Sequence, residues 1–362
     1  MMAKRVPIDT YCEKKIPTLQ KTYDGLIDYV DISSVDNTEK KIISYQTIES
    51  TDAPSRAKQL LQKGDVLVST VRPNLNAVAV VEEETENLMV GSTGYCVLRC
   101  KDNMDVRYLF NFCQSQYFVD DMSSQATGAS YPAVSNGIVR SALIPCCSIE
   151  EQREIAEKMD TVSELLALRK QQLAELDELI KSRFIELFGD PIRNTQNRPT
   201  TDFINVVKMQ RGFDLPVQDR QQDGDIPVFG SNGALDRHNV AKVQGGGVIT
   251  GRSGTIGKVY YTEGDYWPLN TSLFSVDTHG NNIIYLAYLL QMYDLSRFTE
   301  GTGVPTLNRN KFHDKPIIDV PLNEQEQFAV FVKQTDKSKL AVQQSIAELE
   351  ELKKSLMQKF FG

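Results

Sequence analysis

"AELDELIKSRFIELFG" (residues 174–189) and "AELEELKKSLMQKFFG" (residues 347–362) are nearly one helix written twice. They align without a gap at an offset of 173, since 347 − 174 = 173. Working outward, the match continues. "EEQREIA" (150–156) falls on "NEQEQFA" (323–329) at the same offset. "ATGASYPAVSNGIVRSALIP" (126–145) resembles "GTGVPTLNRNKFHDKPIIDVP" (301–321) with a small slip in register. "YLFNFCQ" (108–114) pairs with "YLAYLLQ" (285–291), and "GDVLVSTVRPNLNAVAVVEE" (64–83) with "GGVITGRSGTIGKVYYTEG" (246–264). An internal repeat of this size means two copies of one structural unit. The copies diverge most in residues 1–60 and 192–240.

Each unit mixes strands with helices. "DVLVSTV", "AVAVVEE", "GYCVLRC", "GGVITG", "KVYYTE" and "LFSVD" are short, rich in Val, Tyr and Phe, and separated by Asn, Gly and Pro, as strands are. The long helices carry start signals. Ser148 and Glu151 form an S-x-x-E capping box, and Asn323 with Glu326 is expected to do the same in the second copy. Gly189 followed by Pro191 stops the first helix.

About 40 residues per helix implies about 60 Å at 1.5 Å per residue, too long for a compact domain of this size. Leu166, Leu173, Leu176, Ile180 and Leu187 fall in heptad-like steps, as do Val342, Ile346, Leu349, Leu356 and Phe360. A helix with one apolar seam needs a partner, and its own copy is the obvious one. The expected fold is α+β: two repeated globular domains separated by a pair of long antiparallel coiled-coil helices, with pseudo-two-fold symmetry. The expected boundaries are a first domain at 1–147, a first spacer helix at 148–189, a second domain at 190–321 and a second spacer helix at 322–362.

Composition bounds the function. With 362 residues, 41% hydrophobic and 24% charged, the chain reads as globular. No run of about 18 apolar residues is present, so no membrane partner is expected. The opening "MMAKRVPIDTYCEKK" has no apolar core of a signal peptide. Six cysteines without a CxxC pair suit reduced thiols, so a cytoplasmic location is expected. The net charge of −8 argues against a uniformly basic nucleic-acid binder. Residues 150–190 hold 11 acids and 6 bases, a net of −5, which leaves only −3 for the rest. A local basic surface outside the helix therefore remains compatible with the total.

Catalytic motifs are scarce. His238, His279 and His313 have no second ligand at metal spacing, so no metal is expected. "GRSGTIGK" (251–258) is not a phosphate loop: Arg252 stands where the first Gly is required, and Val259 follows Lys258 where Ser or Thr is required. It reads as a tight turn between strands. Neither a nucleophile elbow nor a glycine-rich dinucleotide fingerprint occurs. What remains is binding. Two diverged units on a rigid spacer suit a target with two separated parts, and duplex DNA, whose grooves recur every turn, is one. Arg72, Asn74 and Asn76 in one turn, and Arg252, Ser253, Thr255 and Lys258 in another, have side chains that pair with bases or phosphates. Ser231 and Asn232 in "FGSNGA" join this set. A solvated turn accounts for any one of them equally well. A protein-binding scaffold with the same spacer is the competing class.

The chain resembles the specificity subunit of type I restriction–modification enzymes. The resemblance is carried by "TGASYPAVSNGIVRSALIPCCSIEEQREIA" (127–156), "LRKQQLAELDELIKSRFIELFGDP" (168–191) and the second copy from "TGVPTLNRNKFHDKPIIDVPLNEQEQFA" (302–329). "YVDISSVD", "RPNLNAVAVVEE" and "GRSGTIGKVYY" also look like that family's target-recognition domains. The resemblance implies that each domain reads half of a bipartite asymmetric site on double-stranded DNA. It implies partners too: two methylation subunits, which carry S-adenosylmethionine and methylate adenine N6, and restriction subunits, which use ATP and Mg. This chain itself would hold no cofactor and perform no catalysis. The family's loop falls on Ser130 and Tyr131 in the first copy and on Thr306 and Asn308 in the second. The second, "PTLN", keeps the usual P-x-L-N form; the first, "SYPA", departs from it.

Overall fold

The computed structural model of the chain describes residues 4–301 and 305–362. Residues 1–3 and 302–304 lie outside that description, and with them the "TGV" that begins the second copy's loop. The chain divides into two compact units, Met1–Arg169 with Ser345–Gly362, and Lys170–Gln344.

In the first unit, Tyr95–Leu98, Val66–Ser69 and Val78–Val80 form an antiparallel sheet in that order. A second sheet runs Gln46–Glu49, Leu26–Val30, Leu88–Ser92, Ala57–Leu60, with a parallel pair at its centre. The second unit repeats the first of these sheets: Ser272–Asp277, Gly247–Gly251 and Val259–Thr262, joined at the edge by Lys208–Arg211. A three-stranded sheet of Gly233–His238, Ile226–Gly230 and Trp267–Pro268 accompanies it. All six strand-like sequences named above lie on strands of the two repeated sheets. Each unit also ties its start to the approach of its long helix. Arg5–Pro7 pairs with Leu143–Pro145, and Thr200–Asp202 with Pro316–Ile318.

Four helices organise the two units: α1 (Val106–Gln114), α2 (Ile149–Phe188), α3 (Ile283–Tyr293) and α4 (Leu322–Phe361). The capping box at α2 is present: the Glu151 N–H donates to Ser148 Oγ (3.2 Å) and the Ser148 N–H to Glu151 Oε2 (2.9 Å). Its expected twin is not. Helix α4 begins one residue before Asn323, and the Glu324 and Gln325 N–H groups donate to the Pro321 carbonyl instead. The offset of 173 explains this, because it places Pro321, which has no side-chain acceptor, at the position of Ser148. Asn323 falls on Glu150.

What both copies share is a buried glutamine. Gln152 is 1% exposed; its Oε1 accepts the Asp105 N–H at 2.8 Å, and its Nε2 donates to the carbonyls of Asn103 and Cys147. Gln325 is equally buried; its Oε1 accepts the Asn282 N–H at 2.9 Å, and its Nε2 donates to Val320 O and Asn281 Oδ1. Asp105 and Asn282 cap α1 and α3. One amide thus fixes the short helix of each unit to the start of its long helix, and leaves no buried polar group of its own unpaired.

The units divide the chain inside the long helices, not at their ends. Within the second unit, Lys339 pairs with Asp177 at 2.7 Å, Phe184 meets Phe328 at 5.5 Å and Phe188 meets Phe328 at 5.6 Å. Numbers fall on α4 as they rise on α2, so these segments run antiparallel. Phe188 also meets Tyr285 of α3 edge-on at 5.2 Å. In the first unit Phe361 occupies the matching place, 5.3 Å from Tyr108 and 5.9 Å from Phe112 of α1. Phe188 and Phe361 are each fully buried. Each unit's core is therefore closed by the end of the other copy's helix. An arginine completes each closure. Arg5 donates to the carbonyls of Phe361 (3.0 Å) and Gly362 (2.7 Å), and Arg198 to that of Leu187 (2.6 Å). These are unpaired C-terminal carbonyls, where a cation also meets the negative end of the helix dipole.

The expected seam is mixed in character. Leu173, Leu176, Leu187, Ile346, Leu349, Leu356 and Phe360 are half-buried, while Leu166, Ile180 and Val342 are buried. Ile180 belongs to the second unit's core, Leu187 packs against it, and Phe360 packs against the first unit's core. The seam ends thus serve globular cores as well as the helix pair.

Candidate nucleic-acid interface

In the first unit two loops meet beyond the sheet of Val66–Ser69. The chain leaves that strand, and Arg72 adopts a left-handed backbone (φ 48°), followed by a short turn at Pro73–Leu75 and a second left-handed residue, Asn76 (φ 48°). The other loop, 127–134, is pinned beside it. Thr127 and Ala133 exchange backbone hydrogen bonds at 2.9 Å, the Val134 N–H donates to Thr70 O, and the Arg72 N–H donates to Pro132 O at 2.7 Å. Arg72 and Tyr131 are exposed, and the guanidinium lies 4.9 Å from the Tyr131 ring centre. A cation stacked on an aromatic face is held in place without losing its outward hydrogen-bond donors. Ser130 and Asn74 are exposed in the same two loops.

Asn76 has a different role from the one its sequence position suggests. Its Nδ2 donates to Cys113 O at 2.8 Å, and its Oδ1 and carbonyl both accept from Lys40 Nζ. That amide is committed to joining the loop, α1 and Lys40. Burial, and then the nearby Lys353 charge, lower the Lys40 pKa from 10.5 to about 8.

In the second unit the "GRSGTIGK" turn follows the strand Gly247–Gly251. Gly254 and Gly257 have φ of +84° and +91°, and any side chain at Gly251 would strike the Thr255 carbonyl. The turn is therefore built by its glycines. Arg252 is held on both sides: its N–H donates to Thr271 O and its carbonyl accepts from Leu307 N–H, each at 2.8 Å. Ser253 bridges to Thr306, so the turn and the "PTLN" loop lie side by side. Thr306 and Asn308 are exposed; Asn308 caps the turn Arg309–Lys311, accepting the Asn310 N–H at 3.1 Å. Lys258 donates to Asn232 Oδ1 at 3.2 Å, which brings the 231–232 loop to the other side of the turn. Ser231, Ser253 and Thr255 are half-buried, while Asn232 and Lys258 are exposed.

The predicted residues therefore gather into one loop cluster in each unit. Sequence reasoning missed Arg211 and Arg309. Together with Arg252, Thr306, Asn308 and Asn310 they line a cleft of about 270 Å³. "RNK" directly after the P-x-L-N loop was the available signal for Arg309; Arg211 had none.

Two homologous α+β units, each with a polar loop pair standing on a rigid sheet, make a duplicated recognition protein. Comparison with known families agrees. The type I restriction modification DNA specificity domain matches twice, over residues 9–178 and 193–351. The chain belongs to that family. It is similar to the MjaVIII type I restriction enzyme specificity subunit of Methanocaldococcus jannaschii, at 21% identity over 166 residues, 44% of this chain and 39% of the relative. It is also similar to the HindI type I specificity subunit of Haemophilus influenzae, at 25% identity over 178 residues, 47% of this chain and 38% of that one. The chain spans about two fifths of the length of these relatives. The solved S subunit of a type I restriction–modification system from M. genitalium shares the fold, with a TM-score of 0.65 at 15% identity, over 100% of this chain and 99% of that one. No helix among the described residues is long and apolar enough to cross a membrane.

Proposed function

We propose that this chain is the sequence-reading subunit of a type I restriction–modification complex. Each unit reads one half of a bipartite, asymmetric site in duplex DNA through its loop cluster, and the long helices set the distance between the halves. Partner methylation subunits carry S-adenosylmethionine and methylate adenine N6 within the site. Restriction subunits, using ATP and Mg, join that assembly in the cytoplasm. The chain itself supplies positioning and no chemistry.

One observation carries this reading. The repeated segments build the same cores and helix anchors in both units, and the loop tips set within them differ in residue type between the copies, carrying exposed Arg, Asn, Ser and Tyr side chains on loops clamped at their anchors. Clamped loops lose little entropy on meeting a groove, and different side chains on one scaffold read different bases. The first long helix, with a net of −5 over 150–190, is a poor partner for phosphate, so the DNA-facing surface is assigned to the loops.

The experiment exchanges residues 1–145 for the equivalent domain of a relative and maps methylated adenines in a host expressing the complex. One half of the methylated motif is expected to change while the other stays. A change in both halves, or in neither, overturns modular reading.

A further inference from the structure

The second unit's cleft gathers three arginines from three separate elements. Arg211 ends the edge strand Lys208–Arg211, where it lies across from Leu273, and Leu273 lies in turn across from Thr250. Residues directly opposite in neighbouring strands point to the same face, and residue i+2 keeps that face. Arg252, two residues beyond Thr250, thus follows Arg211 onto the same side. Arg309 enters from the short turn after the P-x-L-N loop. Leu273 and Leu307 supply the apolar floor.

The charges in this cleft are not balanced internally. Glu300 is its single acid, and it is engaged by Lys311 at 2.8 Å. Arg211, Arg252 and Arg309 have no ion-pair partner among the described residues; Arg252 makes only a long 3.5 Å bond to Asn270 O. Three guanidiniums around one small concavity repel one another, and an anion relieves that repulsion. Guanidinium forks match the paired oxygens of a phosphate. Asn308 and Asn310 add neutral donors at the rim, and the volume of about 270 Å³ has room for a phosphate group with its ester links.

We propose that Arg211, Arg252 and Arg309 form an oxyanion cleft that grips a single backbone phosphodiester of the nucleic acid. The site rests on the DNA-reading proposal but has a separate role, since it fixes the second unit's register on the duplex and reads no base. In the first unit the cleft beside Asn74 and Asn76 is lined by Lys40, Lys353 and Lys354 together with Glu350 and Glu351, not by arginines. Arg72 stands there with Tyr131, and Arg140 is committed to Asp9 at 2.7 Å and to the Glu13 carbonyl. The two units therefore hold DNA differently.

The test uses the full chain with Arg211→Gln, Arg309→Gln and Arg309→Lys variants, checked for an unchanged Trp267 emission spectrum. A duplex of random sequence, about two helical turns long, is titrated by fluorescence anisotropy between about 50 and 200 mM NaCl, and inorganic pyrophosphate by calorimetry. Each Gln variant is expected to bind the duplex about tenfold more weakly, with the slope of log K against log salt reduced by about 0.9. Arg309→Lys keeps most of that slope. Pyrophosphate binds the native chain and is weakened by the same Gln substitutions. Duplex binding with unchanged affinity and slope in both Gln variants overturns the cleft and leaves the DNA reading standing. Pyrophosphate held by the three arginines without any duplex binding overturns the DNA reading and leaves the oxyanion cleft. Pyrophosphate heats that are absent, or that ignore the arginines, overturn the cleft outright.

Discussion

The two units share an interior and differ on their surfaces. Tyr108 with Phe361 and Tyr285 with Phe188 are the same contact made twice, at 5.3 and 5.2 Å. Gln152 and Gln325 are the same buried lock. The differences begin where the sheets end. The first unit buries an ion pair, Arg99 with Asp65 at 2.8 Å, at the edge of its sheet. The second has Gly247 and Val276 at the corresponding positions, counted along the paired strands. The first offers an arginine stacked on a tyrosine, the second an arginine cleft. A buried contact is constrained by its neighbours from every side, so duplication preserves it. An exposed loop is constrained mainly at its anchors, so its tip is free to change.

The largest test of this comparison is the crosswise closure. Phe188→Ala deletes a fully buried aromatic side chain and is expected to cost about 3–5 kcal/mol. The loss belongs to the second unit although the residue ends the first helix copy. Trp267, the single tryptophan, lies in that unit and reports on it. Phe188→Ala should move the urea midpoint followed by Trp267 emission, and Phe361→Ala should leave it nearly in place while lowering the first unit's stability. Equal shifts from both substitutions would show that the units unfold as one cooperative body.

A smaller effect sharpens the same contrast. Gln152→Ala strands the Asp105 N–H and two carbonyls; Gln325→Ala strands the Asn282 N–H and the Val320 carbonyl. Each is expected to cost about 1–3 kcal/mol. Amide hydrogen exchange locates the damage: protection falls at residue 105 in the first variant and at residue 282 in the second. Loss at both sites from either variant contradicts local locking.

A third effect belongs to the first unit alone. Burial holds the Lys40 pKa near 8 in the folded chain, below its ordinary 10.5. Between those values the unfolded chain retains a proton that the folded chain has released. Lys40 therefore makes stability rise with pH across that window, and its penalty is fully present below about pH 8. Removing the amine in Lys40→Gln should flatten that rise. Denaturation of both proteins from about pH 7 to 10.5 measures it, and parallel curves would mean that Lys40 titrates as an exposed lysine.

Sequence alone determined the repeat, the six strands, the long helices and the tight "GRSGTIGK" turn. All are local: β-branched runs, heptad spacing and obligatory glycines act within a few residues. It misplaced the second helix cap, where Pro321 rather than Asn323 falls on Ser148. It also read Asn76 as a free recognition side chain. That amide is spent on Cys113 and Lys40, partners 37 and 36 residues away. Only the tertiary structure decided which helix end closes which core. "LFG" and "FFG" are interchangeable as text, and the choice between Tyr108 and Tyr285 is made by antiparallel packing. The arginine cleft was equally hidden. Arg211 and Arg309 lie 98 residues apart, since 309 − 211 = 98, with Arg252 between them. No local pattern marks charges that meet only when an edge strand, a turn and a loop are folded onto one sheet.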